Sequence, residues 1–195
     1  ALDQIPFQNS WVFHLDADER FTGALRAECE AAVVADQYSG FLVPSKLIFM
    51  NRWLRWSAMY PSYQMRLMKL GQIRFFQKGH GQRETEAVRG VGVLHEPYLH
   101  YNFSKGMGDW MAKHAQYSAK EAQESLRENH HGLFHWHELF ALRDPVRRRR
   151  ALKSFSMHLP CRPTLRFLYM YFWRMGFLDG QPGLTYCCLL ARYEK

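Results

Sequence analysis

Apolar runs separated by short polar stretches characterise the N-terminal half of the chain. The run from Trp11 to Leu15 stops abruptly at acidic residues, which is typical of a buried central strand of a parallel sheet. Thr22 is then placed to cap a helix, because apolar residues recur behind it at helical spacing: Leu25, Cys29, Ala32 and Val33. The pattern predicts a strand-to-helix unit of an α/β domain, with the acidic residues at the carboxyl end of the strand.

The segment after this unit is predicted to be rich in β-strands. Alternating or continuous apolar positions predict strands at residues 41–44, 46–50 and 98–103. A hairpin is expected between residues 63–70 and residues 73–76, with Gly71 and Gln72 forming its turn.

Helical periodicity replaces the β pattern after residue 103. Ser104 is placed to cap a long helix that reaches about residue 127, with an apolar side made of Trp110, Met111, His114 and Tyr117. Further helices are predicted over residues 133–141, after Asp144, along the aromatic segment 164–177, and from Gly183 after a turn at Asp179 and Gly180. The chain therefore divides into an α/β part, residues 1–103, and a helical C-terminal part, residues 104–195.

Composition narrows the class of protein and of partner. The 195 residues are 47% hydrophobic, which is enough for one packed core and excludes a disordered chain. A formal charge of +8 favours polyanionic partners, such as nucleic acid, anionic lipid head groups or diphosphate-containing substrates. Four cysteines without CxxC spacing indicate a reducing compartment, and no apolar run approaches the roughly 18 residues of a membrane-spanning helix. A cytosolic or monotopic protein is expected.

Asp16 and Asp18, which follow the first predicted strand, are candidate ligands for a divalent cation. Two carboxylates separated by one residue can hold Mg²⁺ or Mn²⁺ through oxygen atoms and leave coordination positions open for substrate phosphates. A solvated acidic turn that caps the next helix is the alternative interpretation. The apolar strand that precedes the pair favours the metal site.

Residues 11–19 resemble the strand and DxD motif of family 2 glycosyltransferases, which have the GT-A fold. Further similarity lies in residues 61–67, 79–84 and 100–106. Residues 166–169 and 176–180 are similar to the C-terminal signature of the bacterial lipopolysaccharide-core and exopolysaccharide branch. Family members begin with a strand and loop that bind the nucleotide base and ribose, and this chain has no such segment before the motif. We therefore expect a partial GT-A fold, an N-terminally truncated and incomplete enzyme.

The resemblance implies an inverting transfer of a sugar from a nucleotide-diphosphate sugar to a lipid-linked glycan or to a lipopolysaccharide or exopolysaccharide acceptor. It implies a cofactor, Mg²⁺ or Mn²⁺, bound by Asp18, with His100 as a further ligand unless that histidine is simply packed. Donor binding is expected from Asp16, Asp18, Gln64, Arg66 and Arg83. Acceptor binding is expected from His80, Gln82, Trp53 and Trp56, although interior packing of the two tryptophans is an equal alternative.

Glu84 is the candidate catalytic base, with Glu96 as the second choice. Glu84 ends a polar loop, residues 79–84, in which glycines permit close approach to a ligand. The alternative is an ordinary surface turn with ion pairs between its charged side chains.

The basic and aromatic C-terminal part predicts contact with an anionic membrane. Arginines 147–150 alone would suit nucleic acid or lipid, but the aromatic stripe of residues 165–173, flanked by Arg166 and Arg174, favours a helix lying in the membrane interface. An ordinary core helix is the competing interpretation. We expect a protein peripheral to the inner face of the bacterial cytoplasmic membrane, with no nucleic-acid partner. The functional alternative is a non-catalytic basic module that binds nucleic acid or glycan on a degenerate glycosyltransferase-like scaffold.

Overall fold

The computed structural model describes residues 6–73, 75–78, 81–84, 87–117 and 161–194. Within these ranges the strands are β1 (Trp11–Phe13), β2 (Glu19–Arg20), β3 (Gly40–Phe49), β4 (Arg52–Trp53), β5 (Ser62–Lys69), β6 (Phe75–Lys78), β7 (Gly81–Glu84), β8 (Val91–Val93) and β9 (Tyr98–His100). The helices are α1 (Gly23–Ala35), α2 (described over residues 107–117), α3 (Arg162–Leu168) and α4 (Gly180–Tyr193). A π-helical turn, Tyr169–Trp173, and a 3₁₀ turn, Gly176–Asp179, connect α3 to α4.

A curled, mixed sheet with the order β1-β5-β3-β9-β2 forms the frame of the molecule, and β4 and β8 also pair with β3. The central strand β3 is antiparallel to β4 and β5 and parallel to β8 and β9. Together with the C-terminal helices this confirms the predicted mixed α/β class.

Helix α1 covers one face of the sheet and forms as its sequence predicts. The Thr22 side chain accepts a hydrogen bond from the Leu25 backbone N–H, which satisfies one of the unpaired donors at the start of the helix. Leu25 and Cys29 point inward and join a cluster with β-strand residues that include Phe41, Val43, Leu67 and Tyr98. The helix, which follows the acidic turn at residues 16–19 along the chain, is thereby fixed against the sheet.

Strand β1 corrects the prediction of a central parallel strand. Among the described strands, β1 lies at one edge of the sheet. It pairs in antiparallel fashion with β5, so that Trp11 lies opposite Lys69. All three of its residues are half-buried, not fully buried. A short apolar run shows that a segment is extended, but its neighbour and direction depend on contacts distant in sequence.

The predicted hairpin after β5 is also wrong. Strand β5 pairs with β1 and β3, while β6 pairs with β7 in a separate two-stranded sheet. Ile73 packs against Met65 and Met68 instead of continuing a hairpin strand. The segments 41–44 and 46–50, predicted as two strands, form one, β3.

The start of α2 also differs from prediction, because β9 ends at His100 and a turn follows it. Ser104 lies in this turn, where its backbone N–H donates to Tyr101 O. The helix begins at residue 107, after Gly106 with φ +92°, and Trp110 is its buried residue. Its predicted extension beyond residue 117, and the helices predicted over residues 133–141 and after Asp144, lie outside the described residues.

The aromatic C-terminal segment is divided into short helical pieces. Residues 164–177 were predicted as one helix, but the chain turns at Met175, where φ is +56°, and α4 begins at Gly180 instead of Gly183. None of the helices in the described ranges is long and apolar enough to cross a membrane.

Candidate functional site

The acidic turn between β1 and β2 holds its own carboxylates in place. The Glu19 N–H donates to Asp16 O at 3.0 Å, and the Asp16 N–H donates to Glu19 Oε2 at 2.9 Å. Strand β2 pairs with β9, so that Glu19 lies opposite His100. The turn is therefore fixed at the edge of the sheet beside the end of β9.

Arg66 of β5 binds two carboxylates of this turn. The residue is buried, and its Nη2 atom lies 3.1 Å from Asp16 Oδ2 and 2.7 Å from Gln64 Oε1, and also contacts Glu19 Oε1. The Glu19 side chain is fully buried whereas half of the Asp16 side chain is exposed. Glu19 is thus the internal partner of Arg66, and Asp16 is the carboxylate that faces solvent.

Tyr98 of β9 completes the buried part of the cluster. Its hydroxyl donates to Gln64 Oε1 at 3.1 Å, and Arg66 lies over its ring with the guanidinium carbon 5.1 Å from the centroid. These contacts bring residues of β5, β9 and the acidic turn to one point. Arg66 and Gln64 lie on the same side of β5 because alternate strand residues share a face.

Burial and charge act against each other in this cluster. Burial raises the pKa of Glu19 above its ordinary value, although the Asp16 backbone N–H and Arg66 counteract part of the effect. Burial acts to lower the pKa of Arg66, but Tyr98, Glu19 and Asp16 outweigh it and the net shift is upward. Arg66 therefore remains charged. Burial also raises the pKa of Tyr98, which keeps its hydroxyl protonated as a hydrogen-bond donor.

Asp18 and His100 form the part of the site that is open to a cation. Asp18 Oδ2 lies 3.5 Å from His100 Nε2, and each side chain is about one-quarter exposed. The Tyr101 N–H donates to Asp18 O at 2.7 Å, which fixes the backbone beside both groups. A carboxylate oxygen and an imidazole nitrogen suit Mn²⁺ and, through the oxygen, Mg²⁺.

These two groups fit the implied cation as a partial set of ligands. No group of three or more His, Cys, Asp or Glu residues that could hold a metal occurs in the part of the chain that the structure describes. Asp16 is engaged by Arg66, so the protein offers Asp18 and His100, and substrate phosphate or water would supply the other ligands.

The structure brings together the predicted residues Asp16, Asp18, Gln64, Arg66 and His100. Glu19 and Tyr98, which both accept hydrogen bonds from Arg66 Nη2, are not among the predicted site residues. The only sequence signal for Glu19 was its place directly after the DxD pattern, where its three-residue spacing from Asp16 permits the turn hydrogen bonds. Tyr98 resembled an ordinary strand residue.

Trp53 and Trp56, predicted to bind acceptor, lie in a packed cation-aromatic cluster. Trp53 is edge-on to Tyr60 with ring centroids 5.0 Å apart, and Lys46 lies over its ring at 4.6 Å. Its Nε1 is buried and lacks a hydrogen-bond partner among the described residues. Arg55 lies over Trp56 at 5.3 Å. These contacts account for the tryptophans as packing residues, and their acceptor role stays a prediction.

The candidate base belongs to β7, which corrects the prediction of a loop for residues 81–84. Glu84 lies opposite Phe75 in the β6–β7 pair. His80 and the side chains of Gln82, Arg83 and Glu84 lie outside the described residues, so their predicted roles stay predictions. The second choice, Glu96, is exposed, and its backbone N–H donates to Glu28 Oε2 at 2.7 Å.

Comparison with known proteins identified no match: neither a protein-family model nor a curated protein matches the chain.

Proposed function

We propose that the chain contributes the metal-binding part of the active site of an inverting, GT-A-type glycosyltransferase. The reaction is transfer of a sugar from a nucleotide-diphosphate sugar to a hydroxyl of a lipid-linked glycan or of a lipopolysaccharide or exopolysaccharide acceptor. The single observation that carries the proposal is the pair Asp18 and His100, 3.5 Å apart, within a turn whose sequence resembles the DxD motif.

The geometry suits the electrostatic demand of this reaction. When bound, Mg²⁺ or Mn²⁺ would supply positive charge opposite the diphosphate leaving group. Asp18 and His100 would hold it, and Arg66 keeps Asp16 at the same turn by a charged hydrogen bond of 3.1 Å. Because Glu19 and Arg66 are buried and paired, the turn is preorganised before substrate binds.

Proton removal from the acceptor hydroxyl requires a carboxylate base on the side opposite the leaving group. Glu84 is proposed for this role on the strength of the family resemblance of residues 79–84. Its substitution by Gln is therefore expected to retain donor binding and abolish turnover in the complete enzyme.

A membrane-peripheral location is part of the proposal. Apolar and aromatic side chains are exposed along α3 and the π-helical turn: Leu165, Leu168, Tyr169, Phe172 and Trp173. Trp173 is 80% exposed, and cationic Arg174 follows it. Exposed aromatics beside arginines are typical of segments that lie in an anionic lipid interface. The proposed surface is the cytoplasmic face of the bacterial membrane.

The test is binding of Mn²⁺, measured by electron paramagnetic resonance with and without UDP or GDP. Asp18→Asn is expected to weaken Mn²⁺ binding at least about tenfold, because it removes the charged ligand. Asp109→Asn on exposed α2 is the matched control and should bind as wild type. Equal Mn²⁺ affinity in wild type and Asp18→Asn would contradict the proposal.

A further inference from the structure

A cavity of about 450 Å³ adjoins the acidic site and shares Gln64 with it. Its walls come from the sheet and from α2, α3 and α4, and they include Gln64, Asn102, Lys113, Tyr117, Arg166 and Tyr193. The volume falls in the range of roughly 300–1,000 Å³ that is typical of small-molecule sites. The cavity is therefore large enough for one or two sugar rings.

Gln64 connects the cavity to the carboxylate turn. Its side chain lines the cavity, and its Oε1 accepts the hydrogen bonds from Arg66 and Tyr98. Asn102 lines the same wall and follows His100 by two residues. A ligand in the cavity would therefore lie next to the residues proposed to hold the donor diphosphate.

The charged residues of the lining favour an anion. Lys113 and Arg166 supply two cations, and Glu194 is the acidic residue of the lining. Glu194 is already paired with Arg162, Oε2 lying 2.6 Å from Nη2, whereas its Oε1 is 4.0 Å from Arg166 Nε. The charge of Glu194 is thus neutralised by Arg162, and the described lining of the cavity has a net positive charge from Lys113 and Arg166.

Arg166 has hydrogen-bonding capacity that its neighbours do not use. Its Nε is buried and has no hydrogen-bond partner in the described ranges, since Glu194 is beyond hydrogen-bond distance. A guanidinium recognises carboxylate and phosphate oxygens through paired N–H donors. A small shift of Arg166 toward an anion would satisfy the unused donor.

Aromatic rings in the lining suit the apolar face of a sugar. Tyr117 and Tyr193 both contact the ring of His114, at centroid distances of 5.8 and 5.5 Å. His114 itself lies against Trp110, with its Nδ1 2.9 Å from Trp110 O, and this contact orients the imidazole. Both rings line the cavity, and Lys113 Nζ lies over the Tyr117 ring, 5.8 Å from its centroid, so that an aromatic group and a cation are adjacent there.

We propose that this cavity binds an anionic saccharide, that is, a sugar bearing a carboxylate or a phosphate. We further assign it as the acceptor subsite, and this second assignment rests on the proposed transferase function. The transferase would accordingly extend an acidic glycan and not a neutral one.

The test is direct binding to the whole chain, measured by calorimetry with glucuronate, glucose 6-phosphate, glucose and inorganic phosphate. Wild type is expected to bind one or both anionic sugars at least about tenfold more tightly than glucose or phosphate alone. Tighter binding of glucuronate would identify a carboxylate sugar, and tighter binding of glucose 6-phosphate a phosphorylated one. Equal affinity for phosphate and both sugars would overturn the saccharide site.

Variants locate the binding in the cavity. Lys113→Gln changes an exposed residue and should fold normally, and it is expected to weaken binding of the anionic sugar about tenfold. Arg166→Gln should do the same, while Arg192→Gln, which alters an exposed arginine of α4 outside the lining, should not. Unchanged affinity in Lys113→Gln and Arg166→Gln would overturn the proposal.

This outcome is separable from the fate of the transferase proposal. Sugar binding needs no cation, so Asp18→Asn should leave it unchanged. Anionic sugar binding without Asp18-dependent Mn²⁺ binding would retain the saccharide site and remove its assignment as an acceptor subsite. The reverse pattern would remove the saccharide site alone.

Discussion

At the scale of single residues, Arg66 is the cation that pairs with both Asp16 and Glu19 in the candidate site. It is 6% exposed and sits between the fully buried Glu19 carboxylate and the half-exposed Asp16. Removing the guanidinium would leave Glu19 as a buried charge without its partner. Arg66→Leu is therefore expected to lower the free energy of unfolding by about 3–5 kcal/mol.

Urea unfolding at pH 7 measures this loss, and Arg26→Gln is the control. Arg26 forms a solvent-exposed pair with Glu30 at 2.7 Å, so its substitution should lower the stability far less than Arg66→Leu does. Combining Arg66→Leu with Glu19→Gln should restore part of the stability, because the unpaired charge disappears. An Arg66 variant as stable as the Arg26 variant would contradict this account of the cluster.

Asp36 provides a pH-dependent contribution to stability at the end of α1. Its carboxylate accepts hydrogen bonds from Lys69 Nζ at 2.7 Å and from Arg89 Nη2 at 3.2 Å. The Lys69 hydrogen bond is the main cause of a lowered pKa for Asp36; burial opposes it and Arg89 adds to it. A carboxyl whose pKa is lower in the folded state stabilises the fold above its unfolded pKa, about 3.9, and ceases to do so as pH falls through the folded value.

Asp36→Asn isolates this contribution, because Asn tolerates the left-handed conformation, φ 45°, that Asp36 adopts. Wild type is expected to be more stable than the variant at pH 7. The difference should shrink as the pH is lowered below about 3.9. Urea unfolding of both proteins across this pH range measures it, and a difference independent of pH would refute the assignment.

At the scale of elements, Asp179 joins the C-terminal helices to the turn between β4 and β5. It is buried, and its carboxylate accepts hydrogen bonds from the backbone N–H groups of Arg55, Trp56 and Ser57 and from the Ser57 hydroxyl, at 2.7–3.1 Å. Asp179→Ala leaves these donors unpaired at a cost of about 1–3 kcal/mol for each buried one. We expect destabilisation of several kcal/mol in total.

Hydrogen exchange is the measurement that tests this joint locally. Amide protection should fall at residues 55–57 and in the 3₁₀ turn, while α1 keeps its local protection under conditions where the variant remains folded. Asp109→Asn, on the exposed side of α2, should change neither stability nor exchange. Retained protection at residues 55–57 in Asp179→Ala would contradict the role of Asp179.

At this scale an element is predictable from the sequence when the contacts that determine its structure are between residues close in the chain. Thr22, Leu25 and Cys29 were enough for α1, because capping and amphipathicity act within one or two turns. The partner of β1 and the separate pairing of β6 with β7 were not predictable, because strand pairing is decided by non-local packing. The sequence predicts only a turn at Asp179, since the donors that its carboxylate binds lie more than a hundred positions earlier in the chain.

The same distinction applies to the site. Asp16 and Asp18 are predictable from a local motif after an apolar run, whereas the prediction of His100 as a further ligand rests on the family resemblance. The roles of Glu19 and Tyr98 are not predictable in this way, since they depend on contacts with Arg66, which is distant from both in sequence. The predicted role of Arg66 in binding the nucleotide sugar stays a prediction, and its observed contacts are with Asp16, Glu19 and Gln64.

For the whole molecule, net charge and exposed apolar surface determine its affinity for anionic lipid and for nucleic acid. The charge of +8 attracts both anionic lipid and nucleic acid, and exposed Phe172 and Trp173 add apolar surface that a membrane interface can bury. Binding to nucleic acid through several phosphates would lose about 10³-fold or more between 50 and 200 mM salt. Binding to vesicles that contain phosphatidylglycerol should fall much less, because burial of apolar surface is not screened.

Trp173→Ala tests this difference at the level of the whole protein. Full burial of one large apolar side chain is worth about 1.5–3 kcal/mol, so the variant should bind such vesicles at least about tenfold more weakly and with a steeper salt dependence. Val34→Ala is the matched control, because Val34 is 86% exposed on α1, and it should bind as wild type. Co-sedimentation with vesicles and filter binding with single-stranded RNA measure both partners. RNA affinity that exceeds vesicle affinity and is unchanged in Trp173→Ala would favour a nucleic-acid module over a membrane-associated transferase, since the aromatic surface would then contribute nothing to recognition.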